Sequence, residues 1–339
     1  MKRKIKNYFN SLNPEKLGLK SHIKVKSVSK LGQGVCNLNY LVKTNQGKFI
    51  FRLNADLKNK TKSKKEFNAL KIIEKSKISP KAYILDESRK FFDSDFIILE
   101  YLDGKLCTKV KPYFDENMIK NLAKLLAKIH SIKITSKMKR QIARDYLDYR
   151  NQIKKMESYL KYIKKNSNDY EFLGILDEIV KKLKNQIRGK TLKSKLVLSH
   201  GDFHSGNVII NKGNFFLIDF ERFEITNQAS ALSHIFIHFK RGIFTGKQRV
   251  VFLSEYRKHV KTNKGIELEI DNFIPLKIMG LFLWSVKFIL KVKNNEMHKE
   301  FLSNHERNIN NAIRCFKQAL KFGAIDNKYK NLNLRRLLG

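Results

Sequence analysis

The hydrophobic pattern of the chain changes once, near residue 100, and this change constrains the fold more than any other feature. Before it, short apolar segments alternate with polar residues and turns, a pattern typical of strands. Asn45-Gln46-Gly47 joins two such segments and indicates a β-hairpin. The predicted strands cover residues 22–31, 40–44, 48–53, 83–85 and 96–99, and one helix is predicted over residues 61–75. Strands in series with a single helix predict a small α+β lobe.

Beyond residue 104, apolar residues recur at the spacing of amphipathic helices. Asp115 is the predicted N-cap of the first helix, which extends to about residue 132. Further helices are predicted over residues 144–165, 170–187, 229–240, 246–261, 271–292 and 298–322, and one strand-rich interruption over residues 195–220. The sequence therefore predicts an α+β protein with an antiparallel-sheet first part and a mostly helical second part.

The chain is strongly basic, with 70 lysines and arginines against 31 acidic residues and a formal net charge of +39. Such a charge attracts nucleic acids and anionic membranes without sequence preference. Lysine is scattered along the whole chain, which indicates a bias of composition, not a dedicated binding face. We therefore expect nucleic-acid binding to be non-specific and steeply dependent on salt.

Cysteine use and hydropathy predict a cytoplasmic protein. Cys36, Cys107 and Cys315 are far apart and odd in number, which argues against a disulfide framework and against a zinc site. No secretory signal is visible at the N-terminus. Lys277 and Lys287 interrupt the most apolar stretch, so it is interpreted as a buried core helix without membrane insertion.

The residues with the clearest chemistry lie between Ser199 and Glu221. Asp202 and Asn207 share one polar loop, and Asp219 ends a second strand after a tight turn, so a hairpin would bring Asp219 beside Asn207. Phosphoryl transfer needs a carboxylate for the acceptor hydroxyl and hard oxygen ligands for magnesium. These three side chains can supply both. The alternative is a polar loop whose Asp and Asn only cap turns.

This segment resembles the aminoglycoside phosphotransferase and choline kinase superfamily, which has a two-lobed, protein-kinase-like fold. The pattern His-Gly-Asp-x-His-x-x-Asn and the later Ile-Asp-aromatic-Glu both match, from His200 to Asn207 and from Ile218 to Glu221. The resemblance implies ATP and Mg2+ as cofactors, with Asp202 as the catalytic carboxylate. It also implies Asn207 and Asp219 as metal ligands, and supporting roles for His200, His204 and Glu221. His200 would brace the catalytic loop against the segment of Asp219.

Other parts of the chain fit the same resemblance. The family places a glycine-containing loop over the nucleotide, a cation on the third strand paired with a helical glutamate, and a hinge whose backbone binds adenine. The matching residues are Gly32, Gly34 and Asn37 for the loop, Arg52 and Glu66 for the cation and its glutamate, and Glu100 and Leu102 for the hinge. An ordinary surface ion pair is the alternative for Arg52 and Glu66. The implied organisation is an N-lobe over residues 1–99, a hinge over residues 100–104 and a C-lobe over residues 105–339.

Two positions depart from the family pattern. Ala231 stands where the family usually has a second aspartate that accepts hydrogen bonds from the catalytic loop, and Cys36 stands where serine is common. The primary chemical groups remain.

The acceptor is predicted to be a small molecule with a hydroxyl group, such as an amino sugar, a sugar or an amino alcohol like choline. A cationic acceptor needs carboxylates or an aromatic wall. The candidate carboxylates are Glu221, Glu224, Glu267 and Glu269, and the candidate aromatic wall is Trp284 with Tyr256. The competing hypotheses are a non-catalytic, kinase-shaped protein that binds nucleotide or nucleic acid, and a protein kinase. The absence of an Ala-Pro-Glu segment after Asp219 argues against the latter.

Overall fold

The computed structural model describes residues 1–31, 37–55, 61–112, 115–144, 148–237, 245–297 and 305–338, except the side chains of residues 143 and 144. Their contacts define two compact units. The first comprises Met1–Tyr113 and His200–Phe223, and the second comprises Phe114–Ser199 and Glu224–Gly339. The segment with the predicted catalytic loop thus groups with the first part of the chain. The lobe boundaries at residues 99, 100–104 and 105 stay a prediction.

A five-stranded antiparallel sheet with the order β1-β2-β3-β5-β4 forms the centre of the first unit. The strands are β1 (Val25–Lys30), β2 (Asn37–Thr44), β3 (Lys48–Asn54), β4 (Ala82–Asp86) and β5 (Phe96–Glu100). The hairpin predicted at residues 45–47 is present: the N–H of Thr44 donates to the carbonyl of Gly47 at 2.8 Å. Tyr40 therefore pairs with Phe51, and both side chains are buried.

An N-terminal helix, α1 (Lys2–Asn10), precedes the sheet and was not predicted. Its buried side chains, Ile5, Tyr8 and Phe9, have the spacing of one helical face. The ring of Phe9 lies 6.1 Å from that of Phe49 on β3, so α1 adds to the sheet's aromatic core. The charged residues around these three positions obscured the helical pattern in the sequence.

Two further elements of the first unit position the predicted site. Helix α2 (Lys62–Ile73) follows β3, as predicted, and packs against a 3₁₀ turn at Phe220–Arg222. A small sheet of order β10-β9-β6 contains the second predicted hairpin. Its strands are β6 (Lys105–Leu106), β9 (Val208–Asn211) and β10 (Asn214–Leu217). Antiparallel pairing of β9 with β10 returns the chain towards Asp219.

The second unit is mostly helical, as predicted. Its helices are α3 (Glu116–His130), α4 (Ser136–Gln141), α5 (Tyr149–Asn166), α6 (Tyr170–Gln186), α7 (Gln228–Ile237), α8 (Gly246–Arg257), α9 (Ile266–Lys293), α10 (His305–Lys321) and α11 (Leu334–Leu338). A three-stranded sheet of order β7-β11-β8 accompanies them, from β7 (Ala143–Arg144), β8 (Leu196–Ser199) and β11 (Glu224–Asn227). The predicted N-cap is confirmed, because Asp115 accepts a hydrogen bond from the N–H of Met118 at 2.7 Å.

Two predicted helix starts were wrong, and capping explains one of them. Helix α5 begins five residues later than predicted because the side chain of Asp148 caps it, accepting from the N–H of Asn151 at 2.8 Å. Helix α9 begins before the predicted residue 271 and continues through Pro275. Proline removes one helical donor, and the packing of α9 outweighs that loss.

Helix α9 is also the one helix among the described residues that is long and apolar enough to cross a membrane. In its most apolar window, 72% of the residues are buried within the protein. This burial agrees with the interpretation of a core helix.

Candidate active site

The predicted catalytic loop begins with a backbone constraint at Gly201. Its φ of 74° lies in the left-handed region, and a Cβ there would stand 1.9 Å from the carbonyl oxygen of Arg222. Only glycine tolerates both conditions. The glycine between His200 and Asp202 therefore lets the loop lie directly against the 3₁₀ turn that follows Asp219.

His200 links this loop to the strand that leads to Asp219. Its Nε2 atom lies 2.9 Å from the carbonyl oxygen of Ile218, and its Nδ1 accepts from the N–H of Asp202 at 3.3 Å. The imidazole is fully buried, and burial lowers the pKa of His200 to about 4. A neutral ring that donates from Nε2 and accepts at Nδ1 satisfies both contacts. His200 is thus placed to brace the loop.

Asp202 and Asn207 face each other within the loop. The amide nitrogen of Asn207 donates to the backbone carbonyl of Asp202 at 3.0 Å and lies 3.5 Å from its carboxylate. This orientation leaves the amide oxygen of Asn207 as the atom for a metal. His204 Nε2 lies 3.7 Å from the Asp202 carboxylate, while its Nδ1 accepts from the N–H of Gly206 at 3.0 Å. The second contact holds the His204 ring within the turn.

Asp219 is brought beside Asn207, as the hairpin predicted. The N–H of Ile218 donates to the carbonyl of Asn207 at 3.0 Å. The backbone of Asp219 has φ 73° and ψ 62°, an uncommon conformation for a residue with a side chain. Its carboxylate is 30% exposed. Strain of this kind is concentrated at functional sites.

The guanidinium of Arg52 joins this carboxylate to the α2 helix. Its Nη1 lies 3.0 Å from Oε1 of Glu66, and its Nη2 lies 2.5 Å from Oδ1 of Asp219. The Arg52 and Glu66 side chains are 8% and 3% exposed, so the alternative of a surface ion pair is wrong. Burial alone would lower the pKa of Arg52. The nearby carboxylates of Asp219, Glu66 and Glu221 together raise this pKa by more than burial lowers it, so the net shift is upward. Burial raises the pKa of Glu66, against the opposing effect of Arg52.

Glu221 is held by donors from two other elements of the first unit. Its Oε2 lies 2.8 Å from Nζ of Lys62 at the start of α2, and accepts from the side-chain amide of Asn37 at 2.6 Å. Sequence reasoning missed Lys62. The available signal was its position four residues before Glu66, which places both on one face of the helix.

The predicted hinge residues lie at the end of β5. Glu100 donates its N–H to the carbonyl of Lys81 at 2.9 Å, and its carboxylate accepts from the N–H of Lys81 at 3.0 Å. Leu102 follows. Gly104 has φ 141°, and a Cβ there would stand 2.6 Å from the carbonyl oxygen of Ile210, so both conditions favour glycine. The predicted loop residues Gly32, Gly34 and Cys36 lie outside the described residues.

The oxygen donors of this site suit magnesium. Among the described residues there is no group of three or more His, Cys, Asp or Glu side chains that could hold a metal ion. Mg2+ is commonly bound by one or two carboxylates together with substrate phosphates. A partly exposed carboxylate on Asp219 and an amide oxygen on Asn207 match that requirement.

Comparison with known proteins defines the family. Residues 27–239 match the profile of the phosphotransferase enzyme family, and the chain therefore belongs to it. The resemblance found in the motifs is thereby confirmed. No match was found among curated protein sequences.

Solved structures of small-molecule kinases share the fold. An ethanolamine kinase of Plasmodium vivax has a TM-score of 0.63 and 18% identity, covering 87% of this chain and 82% of its own. A choline kinase of Cryptosporidium parvum has a TM-score of 0.60 and 15% identity, covering 93% of each chain. A spectinomycin phosphotransferase in complex with ADP and spectinomycin has a TM-score of 0.59 and 13% identity, covering 89% of this chain and 95% of its own. The predicted kinase-like fold class is confirmed.

Proposed function

We propose that this chain is an ATP-dependent phosphotransferase that phosphorylates a hydroxyl group of a small molecule. The observation that carries the proposal is the connection of Asp202, Asn207, Asp219 and Arg52 within one compact unit. Asn207 contacts Asp202 directly, Ile218 ties Asn207 to the strand before Asp219, and Arg52 contacts Asp219. A carboxylate, an amide oxygen and a buried cation are the groups that phosphoryl transfer requires.

In the proposed mechanism Asp202 orients the acceptor hydroxyl and accepts its proton as the phosphoryl group is transferred. A bound Mg2+ would neutralise charge that develops on the phosphates. Asn207 and Asp219 would hold the ion, and Arg52 would contact the phosphates of ATP. The hinge backbone from Glu100 to Leu102 would contact the adenine base. The ADP bound to the spectinomycin phosphotransferase supports a nucleotide in this fold.

The acceptor class rests on the structural neighbours, whose names specify ethanolamine, choline and spectinomycin. We propose an amino sugar, a sugar or an amino alcohol. Tyr256 was expected to form an aromatic wall for the acceptor, but this expectation is wrong. Its side chain is fully buried, and its hydroxyl lies 2.7 Å from Nδ1 of His130. Glu269 is likewise engaged elsewhere, accepting from the N–H groups of Lys193 and Ser194 at 3.0 and 3.2 Å.

The test is incubation with Mg2+ and ATP and a panel of hydroxylated metabolites, reading ADP release. Asp202→Asn should lower turnover by about 10²–10⁴-fold while leaving ATP affinity nearly unchanged, because Asp202 meets the acceptor and not the nucleotide. Asp219→Asn should lower both turnover and ATP affinity, because it removes a charge that holds the metal. Undiminished turnover in the Asp202 variant would exclude it as the catalytic carboxylate.

Metal dependence of nucleotide binding tests whether Asn207 and Asp219 hold a metal ion. We expect ATP to bind weakly without magnesium, since two phosphates then remain poorly neutralised. Calorimetric titration of ATP with and without the ion measures this difference. Equal affinity in both conditions would contradict a metal-bridged site.

The second candidate is a kinase-shaped binding protein without catalysis. Ala231, at the position of the family aspartate, is a buried residue of α7 and supplies no carboxylate. Tight Mg2+–ATP binding with no ADP release from any acceptor would favour this candidate.

We propose a cytoplasmic location and no specific nucleic-acid partner. A sequence-selective RNA complex that survives physiological salt would contradict the second statement.

A further inference from the structure

A cavity of about 670 Å3 is lined entirely by residues of the second unit. Leu196, the first residue of β8, pairs with Asn227, the last residue of β11, and both line the cavity. β8 ends at Ser199, so the cavity lies at the opposite end of this strand from the residue that precedes the predicted catalytic loop. Its volume is in the range of sites for small organic molecules. It is therefore separate from the candidate active site.

Four cationic side chains line the cavity, and they come from three parts of the chain. Arg150 is in the first turn of α5, Lys184 is in the last turn of α6, and Arg188 and Lys190 belong to the segment that leads to β8. Lys184 pairs with the exposed Glu157 at 2.9 Å. A cleft lined by charges of one sign concentrates their field and attracts ligands of the opposite sign. The lining therefore favours an anion.

The carboxylates at this cavity are already engaged. Asp148 is the one acidic residue among the described lining residues, and it caps α5 by accepting from the N–H of Asn151 at 2.8 Å. Glu269 contacts the lining segment, and it accepts from the N–H groups of Lys193 and Ser194 at 3.0 and 3.2 Å. Both carboxylates thus hold backbone donors in place and do not pair with the cations of the cavity.

Two arginines give the cavity its capacity for phosphate. Arg150 and Arg188 are exposed, and among the described residues neither guanidinium has a hydrogen bond or an ion pair with another side chain. Arg150 is also the second residue of α5, so its charge adds to the positive end of the helix dipole. Lys190 donates to the neutral amide oxygen of Asn272 at 2.7 Å, which leaves its charge uncompensated. Guanidinium groups match the oxygens of phosphate in pairs.

The rest of the lining is partly rigid and partly apolar. Asn227 is 2% exposed, and its side chain is fixed by Ser194, whose hydroxyl donates to it at 2.6 Å and whose carbonyl accepts from it at 3.0 Å. The apolar lining residues are Tyr149, Ile187, Leu192 and Leu196. Apolar surface of this kind gains free energy by covering the carbon part of a ligand.

We propose that this cavity is a binding site for a small organic phosphate. Arg150 and Arg188 hold the phosphate group, and the carbon part of the ligand packs against the apolar lining. The inference goes beyond the proposed function, because none of these residues belongs to the candidate active site.

The experiment titrates the full chain with phenyl phosphate and with inorganic phosphate by calorimetry, at physiological salt and with EDTA present. Phenyl phosphate should bind about threefold more tightly or better, because its ring buries apolar surface. Arg150→Gln combined with Arg188→Gln should weaken phenyl phosphate about tenfold or more. The matched control is Arg307→Gln combined with Arg336→Gln, which removes the same charge from exposed positions outside the cavity. It should change the affinity less than about twofold.

The replaced arginines are exposed, so both double variants should keep the urea midpoint of the wild type. Equal weakening in the two double variants would show attraction by diffuse charge and would overturn the proposal. Unchanged affinity in the Arg150 and Arg188 variant would place the ligand elsewhere, with the same consequence. Equal affinity for the two phosphates, or no binding of phenyl phosphate, would also contradict it. The titrations contain neither ATP nor Mg2+, so their outcome is independent of the proposed function.

Discussion

The carbonyl oxygen of Arg222 occupies the space that a side chain on Gly201 would need, at 1.9 Å from the position of a Cβ. The predicted catalytic loop and the turn after Asp219 therefore touch through their backbones. This close approach sets the position of Asp202, which follows Gly201 directly.

Gly201→Ala should lower the free energy of unfolding by about 2–5 kcal/mol, the sum of left-handed strain and steric overlap. Gly213→Ala is the matched control, because Gly213 has φ 78° and nothing within 4 Å of the added Cβ. It should cost only about 1–2 kcal/mol. Urea denaturation measures both, and equal losses would show that the contact with Arg222 can relax.

Arg52→Met should lower the free energy of unfolding by about 3–5 kcal/mol, because it leaves the buried carboxylate of Glu66 without its cation. Combining it with Glu66→Gln should recover part of the loss, since the uncompensated charge is then gone. Lys48→Met, which breaks the exposed pair with Asp103, should cost far less than Arg52→Met, because water screens an exposed pair. If the double variant is less stable than Arg52→Met by as much as Glu66→Gln alone costs the wild type, the two effects simply add. That outcome would contradict the pairing of Arg52 with Glu66.

Phe9→Ala should destabilise the protein by about 3–5 kcal/mol, because Phe9 is fully buried between α1 and the sheet. Phe91 is a suitable comparison, since it is 52% exposed and its ring contacts the Tyr8 ring edge to face, with the centroids 4.9 Å apart. Phe91→Ala should cost clearly less in the same denaturation experiment. A negligible effect of Phe9→Ala would mean that α1 is not part of the core.

Stability should fall in acid partly through His130. Burial lowers the pKa of His130 to about 3, below the 6.5 of an exposed imidazole. Between these values the unfolded chain binds a proton that the folded chain does not, so stability is lost as pH falls from 6.5. The loss is at most about 1.4 kcal/mol per pH unit. His200, with its pKa lowered to about 4, acts in the same direction.

Glu66 acts in the opposite direction, because burial raises its pKa above the ordinary 4.5 although Arg52 opposes this shift, so its contribution to stability is lost as the pH rises. The measurement is therefore a difference: the slope of unfolding free energy against pH should be smaller in His130→Gln than in the wild type between pH 4 and 6. Identical slopes would show that His130 does not contribute.

Local sequence signals were sufficient for the elements whose stabilising contacts lie close in the chain. The turn at residues 45–47 and the N-cap at Asp115 each depend on residues within three positions of each other. The motif from His200 to Glu221 could also be recognised, because the loop, turn and strand that shape it are continuous in sequence.

Tertiary structure alone decided the contacts that join distant segments. Three contacts depend on how separate elements pack. They are the pairing of Lys62 with Glu221, the packing of the Phe9 side chain of α1 in the core, and the contact of His130 with Tyr256. A lysine in a chain with 70 basic residues gives no sign of which carboxylate it meets. Packing geometry, and the cost of burying a charge without a partner, selected Glu221 for Lys62 and added Asp219 to the pair of Arg52 with Glu66 that the resemblance had implied.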